Sequence, residues 1–352
     1  MGLTDLLRER PIVQAPMAGG AATPELVAAV TEAGGTGFLA AGYLEPDTLA
    51  TRIRAVRDSG VTAFGVNVFV PGPLCAPDAP APYLPLLETE AKRYEVSVGE
   101  PAHDDDAWDT KIDLLAEAAV PIVSFTFGCP EAGVLERLRE AGSATVVTVT
   151  TVEEARLAAE RGADGVCAQG AEAGGHRGSF ATDGDEDGNG DGNGDRSLWE
   201  LLPDVVEAVD VPVIATGGLM TGSDVAEALQ RGAAAVQLGT AFLRCHESGA
   251  HPEHKAALAD PAYTETTLTR AFTGRLSRGL VNRFVSEHPE APRAYPEIHH
   301  MTKPLRAAAA EAGDPDGMAL WAGTGFREAV DAPAAEIMER LRHEAGEAGV
   351  RV

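Results

Sequence analysis

Glu160-Arg161-Gly162-Ala163-Asp164-Gly165-Val166-Cys167-Ala168-Gln169-Gly170-Ala171-Glu172-Ala173-Gly174-Gly175-His176-Arg177-Gly178 contains one whole unit of the fold. Glu160 and Arg161 end an amphipathic helical stretch, and Gly162 is the residue type that closes a helix. The apolar run that follows is continuous rather than alternating, as a strand reads when both faces are covered. It then breaks into small residues, two adjacent glycines and a lone histidine. Backbone this bare lets a flat ligand or a phosphate approach closely. His176 is the one side chain there that exchanges a proton near neutral pH. The segment reads as helix, buried strand and active-site edge; by itself it also reads as a tight turn with a surface histidine.

The same unit recurs along the chain. Apolar runs ending in Gly or Pro fall at 12–16, 37–41, 63–69, 122–128, 145–149, 165–169, 211–216 and 234–238. Capped helical stretches lie between them, opened by Thr23-Pro24-Glu25-Leu26, Thr151-Val152-Glu153-Glu154 and Ser223-Asp224. Eight β-α alternations predict an α/β fold of the (β/α)8 TIM-barrel type, with a doubly wound open sheet as the lesser alternative. In a barrel, the C-terminal ends of the strands carry the chemistry. Three regions interrupt the repeat: 71–106, rich in proline and acid with a helical piece near 84–94; 179–197; and 245–325, which holds several helical pieces. The expected division is a barrel of 1–70, 107–244 and 326–352 and a smaller, mainly helical cap or substrate subdomain of 71–106 and 245–325, with 179–197 as an acidic loop within the barrel.

A length of 352 residues suits one such barrel with an insertion. Hydrophobic residues make up 44% and aromatics only 5%, so the core must be mostly Ala, Val and Leu. The net charge is −26, and Lys92, Lys111, Lys255 and Lys303 are the only lysines. This balance suits a halophilic, salt-rich cytoplasm, where ions screen self-repulsion, or an ordinary acidic bacterial enzyme. It argues against nucleic acid or an anionic membrane as partner. Cys75, Cys129, Cys167 and Cys245 form no C-x-x-C pair and no metal-ligand spacing, which fits a reducing compartment. The chain opens on no signal peptide and has no apolar run approaching the ~18 residues of a membrane span, so a cytoplasmic location is expected. The run 183–195 lacks any apolar residue and reads as a solvated loop. Asn189, Asp191, Asn193, Gly194 and Glu200 fall at calcium-loop spacing, but Asn replaces the usual first Asp and no helix can precede it, so no metal is expected.

Chemistry-bearing residues collect where the strands end. The first strand runs into Gln14-Ala15-Pro16-Met17-Ala18-Gly19-Gly20, the third carries Asn67, and the sixth Gln169 and the glycine-histidine turn. The seventh gives Thr216-Gly217-Gly218-Leu219 and the eighth Gln237-Leu238-Gly239-Thr240. Loops after strands seven and eight of such barrels often bind phosphate through bare backbone N–H groups. Asn67, Gln169 and Gln237 can donate and accept at once along the edge of a flavin ring.

Q-A-P-M-A-G-G at 14–20, F-G-V-N-V-F at 64–69, V-S-F-T-F-G at 123–128 and A-Q-G-x-E-A-G-G-H-R-G at 168–178 together resemble the motifs of class I nitronate monooxygenases, formerly called 2-nitropropane dioxygenases. The likeness continues through 211–219, 236–242, 272–282 and 320–323, so it covers nearly the whole chain; the acidic 183–195 run departs from the pattern. The resemblance implies FMN resting on Met17, Asn67, Gln169, Gly174, Gly217, Gly218, Gln237, Gly239 and Thr240, with its phosphate at the glycines and threonine after strands seven and eight, Gly217, Gly218, Gly239 and Thr240. It implies a catalytic role for His176 over the reactive side of the isoalloxazine and a substrate pocket lined by Tyr295 and Lys303. The implied reaction is oxidation of an alkyl nitronate, typically propionate 3-nitronate, by O2 to an aldehyde and nitrite, a detoxification. An FMN-dependent enoyl-thioester reductase or NADH:quinone reductase of the same superfamily is the alternative, although no nicotinamide seat is visible. A flavin sensor or storage protein without turnover is disfavoured by His176 and Lys303. A nucleotide dehydrogenase is excluded because no cysteine sits in a glycine-rich rim loop. The physiological nitronate and the oligomeric state stay open, a homodimer included.

Overall fold

The computed structural model describes residues 2–180 and 196–352; the acidic run 183–195 and its reading as a loop lie outside them. All eight anticipated strands form, within one or two residues at their starts. They are β1 (Ile12–Gln14), β2 (Thr36–Ala40), β3 (Phe64–Phe69), β4 (Ile122–Thr126), β5 (Ala144–Val149), β6 (Gly165–Gln169), β8 (Val213–Thr216) and β9 (Ala235–Leu238). They close in chain order into a parallel barrel, β9 pairing back onto β1 with Val13 opposite Gln237. The two-residue β7 (Gly175–His176) stands outside the barrel.

Strand burial is nearly complete on both faces, as the continuous apolar runs require. Outward side chains meet a ring of helices: α2 (Pro24–Glu32), α3 (Pro46–Asp58), α5 (Trp108–Glu117), α6 (Ala132–Glu140), α7 (Val152–Glu160), α8 (Leu198–Ala208), α9 (Gly222–Gln230) and, from the far end of the chain, α13 (Ala334–Glu347). Inward side chains Val13, Phe38, Ile122, Val146, Cys167 and Ile214 meet Leu3, Leu6 and Leu7 of α1 (Leu3–Glu9), which plugs the barrel's lower end. Gly65 makes room there: a Cβ at that position would stand 2.1 Å from the Phe38 ring.

Thr23 and Thr151 cap α2 and α7 as expected. The α9 cap differs from expectation. Thr221, not Ser223, accepts the N–H of Asp224 and forms a reciprocal box with it, because Thr221 is three residues ahead of the acid and Ser223 only one. Glu200, the last of the calcium-spaced residues, binds the N–H and hydroxyl of Ser197 at 3.1 and 2.7 Å and so closes the start of α8.

The two insertions meet each other. Tyr83, Leu87 and Ala91, the last two on α4 (Leu84–Arg93), pack against Phe272, Phe284, Ile298, Met301 and Leu305. The latter three lie on α12 (Glu297–Glu311), and Phe284 lies on α11 (Arg283–Glu287); α10 (Pro252–Ala257) precedes them. To this helical lobe the structure adds a small antiparallel sheet, β10 (Thr266–Thr269), β11 (Ser277–Leu280) and β7. Ser277 pairs with His176, so the insertion is stitched directly to the glycine-histidine turn.

Candidate active site

A cavity of about 480 Å³ opens over the C-terminal ends of the barrel strands. Met17, Asn67, Gln169, Gly174, His176, Gly217, Gly218, Gln237, Gly239, Thr240 and Lys303 all line it. Sequence-distant loops therefore converge as the barrel reading requires. Tyr295 stands beside that lining: its ring lies 5.9 Å from that of His176 and 5.5 Å from that of Phe127, and its hydroxyl donates to Tyr43 at 3.1 Å.

The glycines in the lining have different causes. Gly217 and Gly218 have φ of +120° and +72°, and a Cβ on Gly218 would come within 2.7 Å of the Glu172 side chain, so the protein itself demands glycine. A Cβ on Gly174 would meet the Ala322–Gly323 backbone at 2.5 Å. Gly239 is otherwise: φ is −104°, and its Cβ would find only Ala15 at 3.5 Å and Met17 at 4.0 Å. Nothing among the described residues requires a bare backbone there, and the open side faces the cavity. Beside it, the Thr240 hydroxyl accepts from the Gly323 N–H at 3.0 Å, keeping its own proton to donate.

The three amides are committed to different degrees. Asn67 donates to Ser124 and Thr126, both at 3.0 Å, and so offers the cavity its carbonyl oxygen. Gln169 accepts from the Gly178 N–H at 2.8 Å and from Arg177 at 3.0 Å, which identifies its oxygen, and donates to the His176 carbonyl at 3.1 Å. It holds the turn and has one N–H left over. The Gln237 amide makes no hydrogen bond with the described residues. The set can both donate to and accept from a planar edge.

Gly175, with φ of +77°, swings the chain so that His176 reaches the cavity. The ring is surrounded by Phe127, Tyr295 and Trp321 at 5.5–5.9 Å. Its Nε2 lies 3.0 Å from Thr273 Oγ1, which is also 3.2 Å from the Arg275 carbonyl. Thr273 has one proton for two acceptors. Given to Arg275, it leaves Nε2 as the donor and Nδ1 as an open lone pair; given to His176, it puts the ring proton on Nδ1. The ring is neutral in both arrangements, because burial, with Arg275 and Arg306 nearby, pulls its pKa down to about 3.

Sequence reasoning passed over several wall residues. Tyr43 and Phe127 both adopt left-handed backbone, with φ of 65° and 79°, unusual for aromatic residues. Tyr43 is held by Asp106, which accepts its N–H at 3.0 Å and binds buried Lys111 at 2.6 Å; Lys111 also donates to the Ala41 carbonyl at 3.1 Å. The Tyr43 ring stacks on His299 at 4.0 Å, and its burial pushes the phenol up to about 12. His299, Lys303 and Arg306 share one face of α12 and all line the cavity. Their i, i+4, i+7 spacing is the signal that could have found His299 and Arg306 from Lys303, which the sequence had already singled out. Among the described residues, no carboxylate lines the cavity, in a protein with 54 acidic side chains.

The sequence profile of the nitronate monooxygenase family matches residues 2–344. A probable nitronate monooxygenase of Bacillus subtilis (strain 168) is 38% identical over 328 residues, 90% of each chain. One from Staphylococcus aureus (strain JH9) is 36% identical over 351 residues, covering 96% of this chain and 95% of the relative. Among solved structures, nitroalkane oxidase from Streptomyces ansochromogenes superposes with a TM-score of 0.94 at 52% identity, covering 99% of this chain and 98% of that one. FabK from Thermotoga maritima superposes at 0.72 with 28% identity, covering 99% and 96%.

Proposed function

Since this chain belongs to the nitronate monooxygenase family and is an oxidoreductase, we propose that it uses FMN and O2 to oxidise alkyl nitronates of the propionate 3-nitronate type to an aldehyde and nitrite. The observation that carries this reading is the charge of the cavity. A chain of net charge −26 keeps every described carboxylate out of the lining while placing Lys303, Arg306 and a neutral His176 in it. Such a wall favours a small anion, and a nitronate is one.

The donor set suits FMN. Gly217, Gly218, Gly239 and Thr240 would hold its phosphate, and the free carbonyl of Asn67, the spare N–H of Gln169 and the Gln237 amide would meet its ring edge. When bound, FMN supplies the electron acceptor for the nitronate and the electrons that reduce O2. The chain's own side chains do the rest. His176, with its proton on the nitrogen turned from Thr273, donates to a nitro oxygen and orients the anion. With Thr273 facing the Arg275 carbonyl instead, the same nitrogen is a base for the α-proton of a neutral nitroalkane. That base is weak, since the ring binds a proton only near pH 3, so preformed nitronates are the better substrates. Phe127, Tyr295 and Trp321 keep water from the reacting atoms.

Anaerobic titration separates this reading from a reductase. Nitronate should bleach the bound flavin and NADH should not; bleaching by NADH alone would favour the reductase.

A further inference from the structure

Tyr43 is held more firmly than a wall residue needs to be. Its backbone is left-handed, with φ of 65°, and its N–H is accepted by Asp106 at 3.0 Å, which buried Lys111 fixes at 2.6 Å. The ring is gripped as well: His299 stacks on it at 4.0 Å with 8° between the planes, and Phe69 meets it edge-on at 5.4 Å. Strained backbone persists only where its surroundings over-determine it, and here the strain aims one side chain. Two tyrosine hydroxyls meet at this point. Tyr295 donates to Tyr43 at 3.1 Å; Tyr43 belongs to the cavity lining and Tyr295 does not. Having accepted that bond, the Tyr43 hydroxyl keeps its own proton, for which no acceptor stands among the described residues. Burial pushes the phenol up to about 12, so that proton stays in place. Tyr295 also joins Tyr43 to His176, since its ring lies 5.9 Å from the imidazole, and both of its neighbours line the same cavity. A nitronate carries two oxygens on one nitrogen, and a single imidazole nitrogen binds only one of them.

We propose that Tyr43 is a second catalytic residue, its hydroxyl donating a hydrogen bond to the nitronate oxygen that His176 leaves unbound, with Tyr295 as the positioning residue that orients and polarises that hydroxyl. This assignment rests on the nitronate-oxidising reading above. A preformed nitronate carries its charge on those oxygens before it reacts, so the bond acts on binding. A neutral nitroalkane gains that charge only as its α-proton leaves, so there the same bond acts on the rate.

The test measures steady-state kinetics of the holoenzyme and of Tyr43→Phe, Tyr295→Phe and the double variant, on ethyl nitronate and on its neutral parent, nitroethane. Tyr43→Phe keeps the ring stack on His299 and loses only the hydroxyl. It should raise KM for ethyl nitronate about tenfold or more with kcat little changed, the loss of a hydrogen bond to a charged group, whereas on nitroethane kcat should fall. Tyr295→Phe should raise KM for ethyl nitronate only about two- to fourfold, since Tyr43 still donates. The double variant should lose no more than Tyr43→Phe, because both phenols act through one hydrogen bond. Unchanged kinetics in Tyr43→Phe, an equal fall in kcat on both substrates, or additive losses in the double variant overturns the assignment. If Tyr43→Phe does not fold, Tyr295→Phe decides: the small rise in KM supports the relay, and no change or a loss of about tenfold or more overturns it. If the wild type oxidises no nitronate, the functional reading fails instead. Nitrate, planar like the nitronate head, then judges Tyr43 alone by titration calorimetry: binding weakened about tenfold or more in Tyr43→Phe supports the donor, and unchanged or absent binding overturns it.

Discussion

Gly239→Ala separates a glycine the protein needs from one its ligand needs. The new methyl would meet Ala15 at 3.5 Å and Met17 at 4.0 Å, ordinary contact distances, on backbone with φ of −104° that alanine can adopt. The apoprotein should therefore keep its stability to within about 1 kcal/mol, or about 1–2 °C in melting temperature for a chain of this size. Inside the cavity the methyl would stand where the proposed cradle puts the FMN phosphate. Overpacking a fitted site costs about 1–3 kcal/mol, so FMN affinity should fall about five- to a hundredfold. Gly218→Ala is the contrast. With φ of +72° and a contact at 2.7 Å to Glu172, it combines left-handed strain with a clash, and the apoprotein itself should lose about 2–5 kcal/mol. Flavin-fluorescence titration of apoprotein and melting curves of both variants read the two effects separately. If Gly239→Ala binds FMN as tightly as the wild type, the phosphate lies elsewhere and the cradle is misassigned.

His176→Asn should retain fold and FMN while kcat/KM drops about ten- to a hundredfold or more, with a larger loss on neutral nitroalkanes than on preformed nitronates; equal losses in steady-state assays would remove the base role. The His176 pKa of about 3 places its ionisation outside the working range, so kcat/KM of the free enzyme should show no histidine limb between pH 8 and 5. A limb near pH 6.5 that vanishes in His176→Asn would contradict the burial argument. The stability sign is also fixed. His254 and His299, buried and lowered to about 4 and about 2, stay neutral in the fold but charge in the unfolded chain below about pH 6.5. Each therefore contributes stability that is complete above that pH and lost as pH falls, by about 1.4 kcal/mol per unit. The melting curve of His254→Gln should accordingly fall less steeply from pH 6.5 to 5 than that of the wild type. Lys111→Met strands Asp106 beneath Tyr43; loss of one partner of a buried pair costs about 3–5 kcal/mol, so the melting temperature should drop by about 4–7 °C.

The barrel was legible because each strand is an apolar run between a helix-closing glycine and a rim loop, and local order fixes such runs. Glu160-Arg161-Gly162 ends α7, and Gly162 has φ of +93° as that reading needs. The glycine-histidine turn could be placed at a strand's end, but its pairing with Ser277 and Arg278 could not be read, since about a hundred residues intervene and neither β7 nor β11 has a repeating pattern. Lys303 was visible through its scarcity. Tyr43 and Arg306 were not, because an isolated tyrosine in a β2 loop and an arginine on a helix are ordinary in sequence. They become informative only when folding leaves one on strained backbone and the other without a carboxylate. Gln169 is a related case. Its position at the rim was readable, whereas its use as a brace for the His176 turn depends on where Gly178 returns.

The central claim is tested most directly by mixing the purified, flavin-loaded protein with propionate 3-nitronate in air-saturated buffer and following O2 uptake and nitrite together. The account predicts catalytic O2 consumption matched by nitrite and aldehyde, in protein whose released cofactor chromatographs as FMN. Flavin-loaded protein that consumes no O2 and forms no nitrite with any nitronate would contradict it.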